Sequence, residues 1–218
     1  MRIGVFDSGI GGEAVAQKIQ QAFPAAIIAT VNDRKHLPYG SRSTSDIISL
    51  TNNAIQPLLH EPYDCIVIAC NTATAVAIEW LRQTYPGQLF IGLEPMVKPA
   101  VALSESGIIA VCATPSTLRS ERYTNLKQRY LGTTICLEPN CSQWANMIEH
   151  SQIDTNSIRL EIEDLVSQGA DVIVLACTHY HWIRKLIEGA ADGRAIILDP
   201  SEAIIRRIRM LLDDQLQR

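Results

Sequence analysis

One pattern, Asp-x-Ile-Val-x-Ala-Cys, occurs twice in this chain, 107 positions apart: Asp64-Cys65-Ile66-Val67-Ile68-Ala69-Cys70 and Asp171-Val172-Ile173-Val174-Leu175-Ala176-Cys177. Each copy is a continuous apolar run of strand length, rich in β-branched residues. That is the pattern of a strand buried on both faces of a parallel sheet. A helix-like stretch follows each, beginning near Thr72 in the first copy and near His181 in the second. Cys70 and Cys177 are therefore expected at the carboxyl end of a strand and the amino end of a helix. Ligands of open α/β sheets bind at that edge, and a helix amino end favours anions and lowers thiol pKa values. Two thiols in equivalent places, one per half, point to a site built between two pseudo-symmetric halves. The alternative is a pair of buried structural cysteines, a common core residue.

Strand and helix patterns alternate along the rest of the chain, the signature of βαβ units on a parallel sheet. Strands are predicted near residues 2–6, 27–31, 64–69, 89–92, 107–112, 133–137, 171–176 and 195–198. Helices are predicted over 13–22, 44–59, 72–84, 96–104, 116–130, 142–149, 158–168, 181–188 and 201–216. The best boundary between two groups of strands is Glu94-Pro95. It divides the chain into an N-terminal α/β domain (1–94), a C-terminal α/β domain (95–200) and a last helix (201–218) expected to return to the first domain.

Charge and cysteine usage narrow the function classes. A net charge of -4 gives no sign of a nucleic-acid or membrane surface, and no apolar run approaches the ~18 residues of a membrane span. Met1 leads directly into a strand pattern rather than a signal peptide. The six cysteines are thus expected to be reduced thiols of a cytoplasmic protein, with Cys65, Cys112 and Cys136 in the core. No Cys-x-x-Cys spacing marks a zinc ribbon or thioredoxin motif.

Several segments could carry chemistry. Asp7-Ser8-Gly9-Ile10-Gly11-Gly12 follows the first strand; its glycines permit close backbone approach and Ser8 could donate to an anion. It lacks the third glycine and the ribose-binding acid of a dinucleotide fingerprint. Asp7, an acid at a buried strand tip, is either a loop cap or a group set beside something that needs its charge. Tyr39 and Gly40, in His36-Leu37-Pro38-Tyr39-Gly40-Ser41, could offer a hydroxyl and a backbone N–H to a ligand, or form a surface turn. Thr114 and Thr117 either cap the next helix or contact a ligand. His179, two residues past Cys177, could bond substrate or thiol. Cys70, Cys177 and His179 lack the further ligand that zinc would need. Lys98, the one lysine in a distinctive setting for a pyridoxal Schiff base, sits early in a helix rather than at a strand tip, which favours a structural role.

Taken together and in order, Gly4-Val5-Phe6-Asp7-Ser8-Gly9-Ile10-Gly11-Gly12, Leu37-Pro38-Tyr39-Gly40, Ala69-Cys70-Asn71-Thr72-Ala73, Glu94-Pro95-Met96-Val97-Lys98-Pro99-Ala100, Ala113-Thr114-Pro115-Ser116-Thr117-Leu118 and Cys177-Thr178-His179-Tyr180 resemble the glutamate racemase family, the cofactor-independent branch of the aspartate/glutamate racemase superfamily. His179 favours the glutamate branch over aspartate racemases, where a glutamate usually stands. The resemblance implies two α/β domains facing one central cleft, no cofactor and no metal. Cys70 would take the proton of the D-enantiomer and Cys177 that of the L-enantiomer, assisted by Asp7 and His179 respectively. Ser8, Asn71, Thr72 and Thr178 would hold the α-amino and α-carboxylate groups, and Tyr39, Gly40, Thr114 and Thr117 would complete the pocket. Glu149 is matched to a family glutamate near the histidine, a supporting residue behind the site. The implied activity is interconversion of L- and D-glutamate for peptidoglycan synthesis, with a homodimer as a possible assembly.

Three departures from the family pattern stand out. The chain is short between Leu131 and Ile158. His181, followed by Trp182, replaces a usual proline, which puts pocket shape and side-chain specificity in question. Glu13 and Ala14 replace an apolar-plus-threonine pair. The alternatives are a racemase of aspartate or another acidic amino acid, and a non-catalytic binding or regulatory protein of the gyrase-inhibitor type on the same scaffold.

Overall fold

A computed structural model of the chain describes the backbone of residues 1–216 and the side chains of residues 1–211. The described strands form two four-stranded sheets, each wholly parallel. The first contains β1 (Arg2–Asp7), β2 (Ile27–Asn32), β3 (Cys65–Ile68) and β4 (Phe90–Gly92) in the order β2-β1-β3-β4. The second contains β5 (Ile108–Ala113), β6 (Ile135–Leu137), β7 (Val172–Ala176) and β8 (Ile196–Leu198) in the order β6-β5-β7-β8. The two orders are the same permutation, so the chain is two copies of one α/β domain. In each sheet the order reverses between the two central strands. That is the switch point at which open α/β sheets bind ligands, and it lies between β1 and β3 in one half and between β5 and β7 in the other.

Period-two alternation sends successive side chains to opposite faces. On the first sheet, Ile3, Val5, Cys65 and Val67 meet α1 (Gly11–Ala22) and α10 (Ser201–Leu216), through Val15, Ile19, Ile204 and Ile208. Phe6, Ile66 and Ile68 meet α2 (Thr44–Leu59) and α3 (Asn71–Thr84) on the other face. On the second sheet, Ile109, Val111, Val172 and Val174 pack against α4 (Val97–Leu103) and α6 (Glu121–Tyr130). Ala110, Cys112, Ile173 and Leu175 pack against α7 (Trp144–Glu149), α8 (Thr155–Ser167) and α9 (Arg184–Ala191). Ile66, Ile68, Ile173 and Val174 are fully buried, and each such side chain contributes about 1.5–3 kcal/mol. All six cysteines are free thiols; Cys65 and Cys112 lie in the core as expected, whereas Cys136 is half-buried. Lys98 lies over the ring of Tyr130. Among the described residues, no helix is long and apolar enough to cross a membrane.

Two helix expectations are corrected. The single helix predicted over 116–130 is broken into α5 (Pro115–Leu118) and α6, because Ser120 adopts an extended backbone and its hydroxyl accepts the Tyr123 N–H to cap α6. The helix predicted from His181 is a 3-10 turn over Thr178–Ile183, and α9 starts only at Arg184.

Candidate active site

The carboxyl edges of the two sheets face each other, and a cavity of about 130 Å³ lies between them. Larger cavities of about 730 Å³ run elsewhere, beside β4, α6 and α10, but none contains a thiol. The small cavity takes Cys70 from one half and Cys177 from the other.

Cys70 ends the β3 run and is the N-cap of α3, its Sγ accepting the Ala73 N–H at 3.4 Å. The Ser8 hydroxyl lies 3.2 Å from the same sulfur. The sequence predicted a lowered thiol pKa here; the structure reverses that. Burial, then the nearby Asp7 carboxylate, pushes the Cys70 thiol up to about 12 against the opposing Ser8 and Ala73 contacts. One helix end does not offset complete desolvation plus a like charge.

Cys177 follows β7 and has no helix cap: the turn after it is a 3-10 segment with no side-chain cap. Its partner is His179, whose Nδ1 lies 3.7 Å from Sγ. His179 Nε2 is 2.9 Å from Glu149 Oε1, and that oxygen also accepts the Ile10 N–H at 2.8 Å from the opposite half. Burial pulls the imidazole pKa down, but the hydrogen bonds with Cys177 and Glu149 raise it to about 10. Glu149 loses solvent, yet its bonds from His179 and Ile10 hold its carboxyl below the ordinary range.

Asp7 is fully buried at the end of β1. Its carboxylate accepts the Gly9 N–H at 2.7 Å and the Thr178 hydroxyl at 2.9 Å, so it joins the two halves. Burial raises its pKa, opposed first by His179 and then by Gly9 and Thr178. Asp7 makes no hydrogen bond to Cys70; Ser8 does, and Asp7 acts on that thiol through its charge. Thr72 and Thr114 bond hydroxyl to hydroxyl at 2.8 Å across the cleft, and Thr114 also caps α5. Thr117 is buried behind Thr114, 3.0 Å from its hydroxyl, and does not line the cavity. Tyr39 lines it, but its hydroxyl donates to Asp33 at 2.7 Å rather than pointing to a ligand. Gly40 lines it too, while its carbonyl accepts from Ser116. Both side-chain amide atoms of Asn71 are buried in the cavity wall without a partner, a costly arrangement unless a ligand completes it. Gly9 and Gly11 have no room for a side chain, since a Cβ on Gly9 would overlap Glu149 and one on Gly11 would overlap Thr178.

Sequence reasoning missed Ser142, Gln143 and Asn146, which rim the mouth from the start of α7. Only their polarity beside a helix start could have marked them. Among the described residues, no lysine or arginine lines the cavity, so an anionic ligand would meet hydroxyls, amides and His179. Among the described residues, no group of three His, Cys, Asp or Glu side chains is placed to hold a metal ion.

The sequence model of the Asp/Glu/Hydantoin racemase family matches residues 3–208. The chain belongs to that family. Within it, a glutamate racemase of Herpetosiphon aurantiacus is 35% identical over 96% of this chain and 84% of its own length. Among solved structures, a glutamate racemase isoform of Bacillus anthracis matches with a TM-score of 0.86 at 26% identity, over 98% of this chain and 82% of that one. A Francisella tularensis glutamate racemase solved in complex with D-glutamate matches with a TM-score of 0.82 at 25% identity, over 98% and 81%. The departure at His181 and Trp182 does not reach this racemase's cavity. His181 turns away to Asp199, and Trp182 is exposed to solvent.

Proposed function

We propose that the protein is a glutamate racemase that needs no cofactor and works with Cys70 and Cys177 as its two bases. The observation that carries this reading is the pair of thiols from opposite halves lining one small cavity. Support also comes from the racemase relatives and from the D-glutamate complex of the Francisella protein.

In the L-to-D direction, Cys177 begins as a thiolate beside the His179 imidazolium, and Cys70 begins as a thiol. The Cα–H bond breaks as a Cys177 S–H bond forms. The electron pair left on Cα delocalises into the α-carboxylate and is then protonated from the opposite face by Cys70, which becomes the thiolate. The reverse direction exchanges these roles, since a group that is base one way must be acid the other. Ser8, Asn71, Thr72 and Thr178 hold the α-amino and α-carboxylate groups. Asn71's unpartnered amide and the α3 amino end stabilise the charge that develops there. Tyr39, Gly40 and Thr114 shape the wall, and Thr117 supports Thr114. D-glutamate made this way would supply peptidoglycan synthesis in the cytoplasm, by a chain that could act as a homodimer.

Deuterated water tests the two-base geometry. At low conversion, product D-glutamate should carry deuterium at Cα while recovered L-glutamate carries little, as read by mass spectrometry. Unlabelled product, or equal early label in both enantiomers, would refute two opposed thiols. The same assay with aspartate separates the two acidic substrates, and turnover of aspartate alone would move the reading to that branch.

A further inference from the structure

Asp199, one residue past β8, has a side chain only 4% exposed, yet it gathers three nitrogen-bearing side chains. Its Oδ2 lies 2.8 Å from Lys18 Nζ, 2.9 Å from His181 Nδ1 and 3.2 Å from Arg184 Nη1. Its Oδ1 accepts the Ser201 N–H at 2.8 Å. The Ser201 hydroxyl is in turn 3.2 Å from His181 Nε2 and 3.3 Å from Lys18 Nζ. Burial works against the ionised carboxyl, but His181 first and then Lys18 and Ser201 hold it well below the ordinary carboxylate range. A buried carboxylate so fully paired is costly to disturb.

The position of the two linked elements matters more than the pairing itself. Lys18 belongs to α1, whose amino end follows Ser8, Gly9 and Ile10. His181 stands on the 3-10 turn that opens with Thr178 and His179. That turn has no side-chain cap at its start, and 3-10 hydrogen bonds are poorer than those of an α-helix. Its own ladder therefore does little to fix His179. External ties do: Thr178 to Asp7, His179 to Glu149, and His181 to Asp199.

We propose that Asp199, acting through His181 and Lys18, is a positioning residue that fixes the 178–183 turn against α1, and so holds Thr178 and His179 in register with Asp7 and Cys70. The inference rests on the two-thiol reading for its kinetic consequence, since misplacement by about 1 Å can cost about 10²-fold in rate. None of Asp199, His181 and Lys18 lines the cavity.

The test compares His181→Ala, His181→Gln and Lys18→Met with the unaltered protein. Lys18 is partly exposed, so its removal should leave the fold intact. Arg122→Leu is the control: it breaks two ion pairs between the same halves, from α6 to Glu79 of α3 and to Glu94, away from the turn. Amide hydrogen exchange should become about tenfold faster over 178–183 and 8–16 in His181→Ala and Lys18→Met, and not in Arg122→Leu. In the same two variants kcat should fall about tenfold in both directions with KM changed less than about threefold, and His181→Gln, which can still donate to Asp199, should recover most of it. Unchanged exchange in both variants, or equal loosening in Arg122→Leu, overturns the proposal. So does faster exchange with unaltered kcat. If the unaltered protein fails to racemise glutamate, the functional reading falls, while the exchange comparison still decides the tether.

Discussion

The two thiols share a sequence signature and differ in almost everything that surrounds them. Cys70 caps a 14-residue helix and is met by a serine hydroxyl, a backbone N–H and, at longer range, a carboxylate. Cys177 precedes a six-residue 3-10 turn and is met by an imidazole backed by a glutamate. The first environment favours a protonated sulfur, and the second sets a protonated imidazole beside the other sulfur. Pseudo-symmetric halves have thus produced an asymmetric pair, which is what the proposed reaction, starting with one thiol and one thiolate, requires.

The largest expected effect would erase the comparison altogether. Cys70→Ala and Cys177→Ala should each lower racemisation by at least ~10² to 10⁴, followed by circular dichroism from L- and D-glutamate, while each variant stays folded. Near-normal turnover in either would remove that thiol from the mechanism. A smaller effect should separate the two environments. Asp7→Asn and His179→Gln should each cost on the order of 10², but divided differently between the directions. Since the two enantiomers are equally stable, the ratio of the two kcat/KM values stays at one, and the asymmetry must appear in kcat and KM separately. Identical proportional changes in both variants would contradict the side assignment.

The last effect is thermodynamic and is read in stability rather than rate. His179 keeps its proton to about pH 10 in the folded chain against an ordinary 6.5. Its folded pKa is raised, so the stability it contributes is complete below pH 6.5 and is lost as pH climbs from 6.5 to 10. Thermal unfolding across that window should show the unaltered protein losing stability relative to His179→Gln, whereas the two should run parallel below pH 6. Parallel curves throughout would mean that the imidazole–glutamate pair does not hold the proton.

Much of the fold was legible because buried parallel strands leave uninterrupted β-branched runs, and because the residues after each run fall at a sheet edge by necessity. The thiol-bearing tips, Asp7 and the Asn71 cap region were readable for that reason. The break at Ser120 was hidden by the apolar spacing that continues on both sides of it, although Ser-Glu at 120–121 is an N-cap signal. The end of the 3-10 turn, residues 181–183, looked like the start of a helix because both place side chains at similar intervals. The direction of the Cys70 shift was out of reach, since it depends on how completely packing removes water and on the approach of Asp7. The partner of the Tyr39 hydroxyl was out of reach for a related reason: it is a matter of three-dimensional neighbours, and Asp33 took it, although Tyr39 lines the cavity.

The glycines where the halves meet have an engineering consequence. A backbone without side chains at Gly9 and Gly11 lies directly against Glu149 and Thr178, so any side chain introduced at either glycine would wedge the two halves apart. Remodelling the cavity for a bulkier amino acid has to leave these two positions alone and work on side chains that line it, such as Leu37, Gln143 and Asn146. Both halves offer such positions, and the glycine seam between them does not.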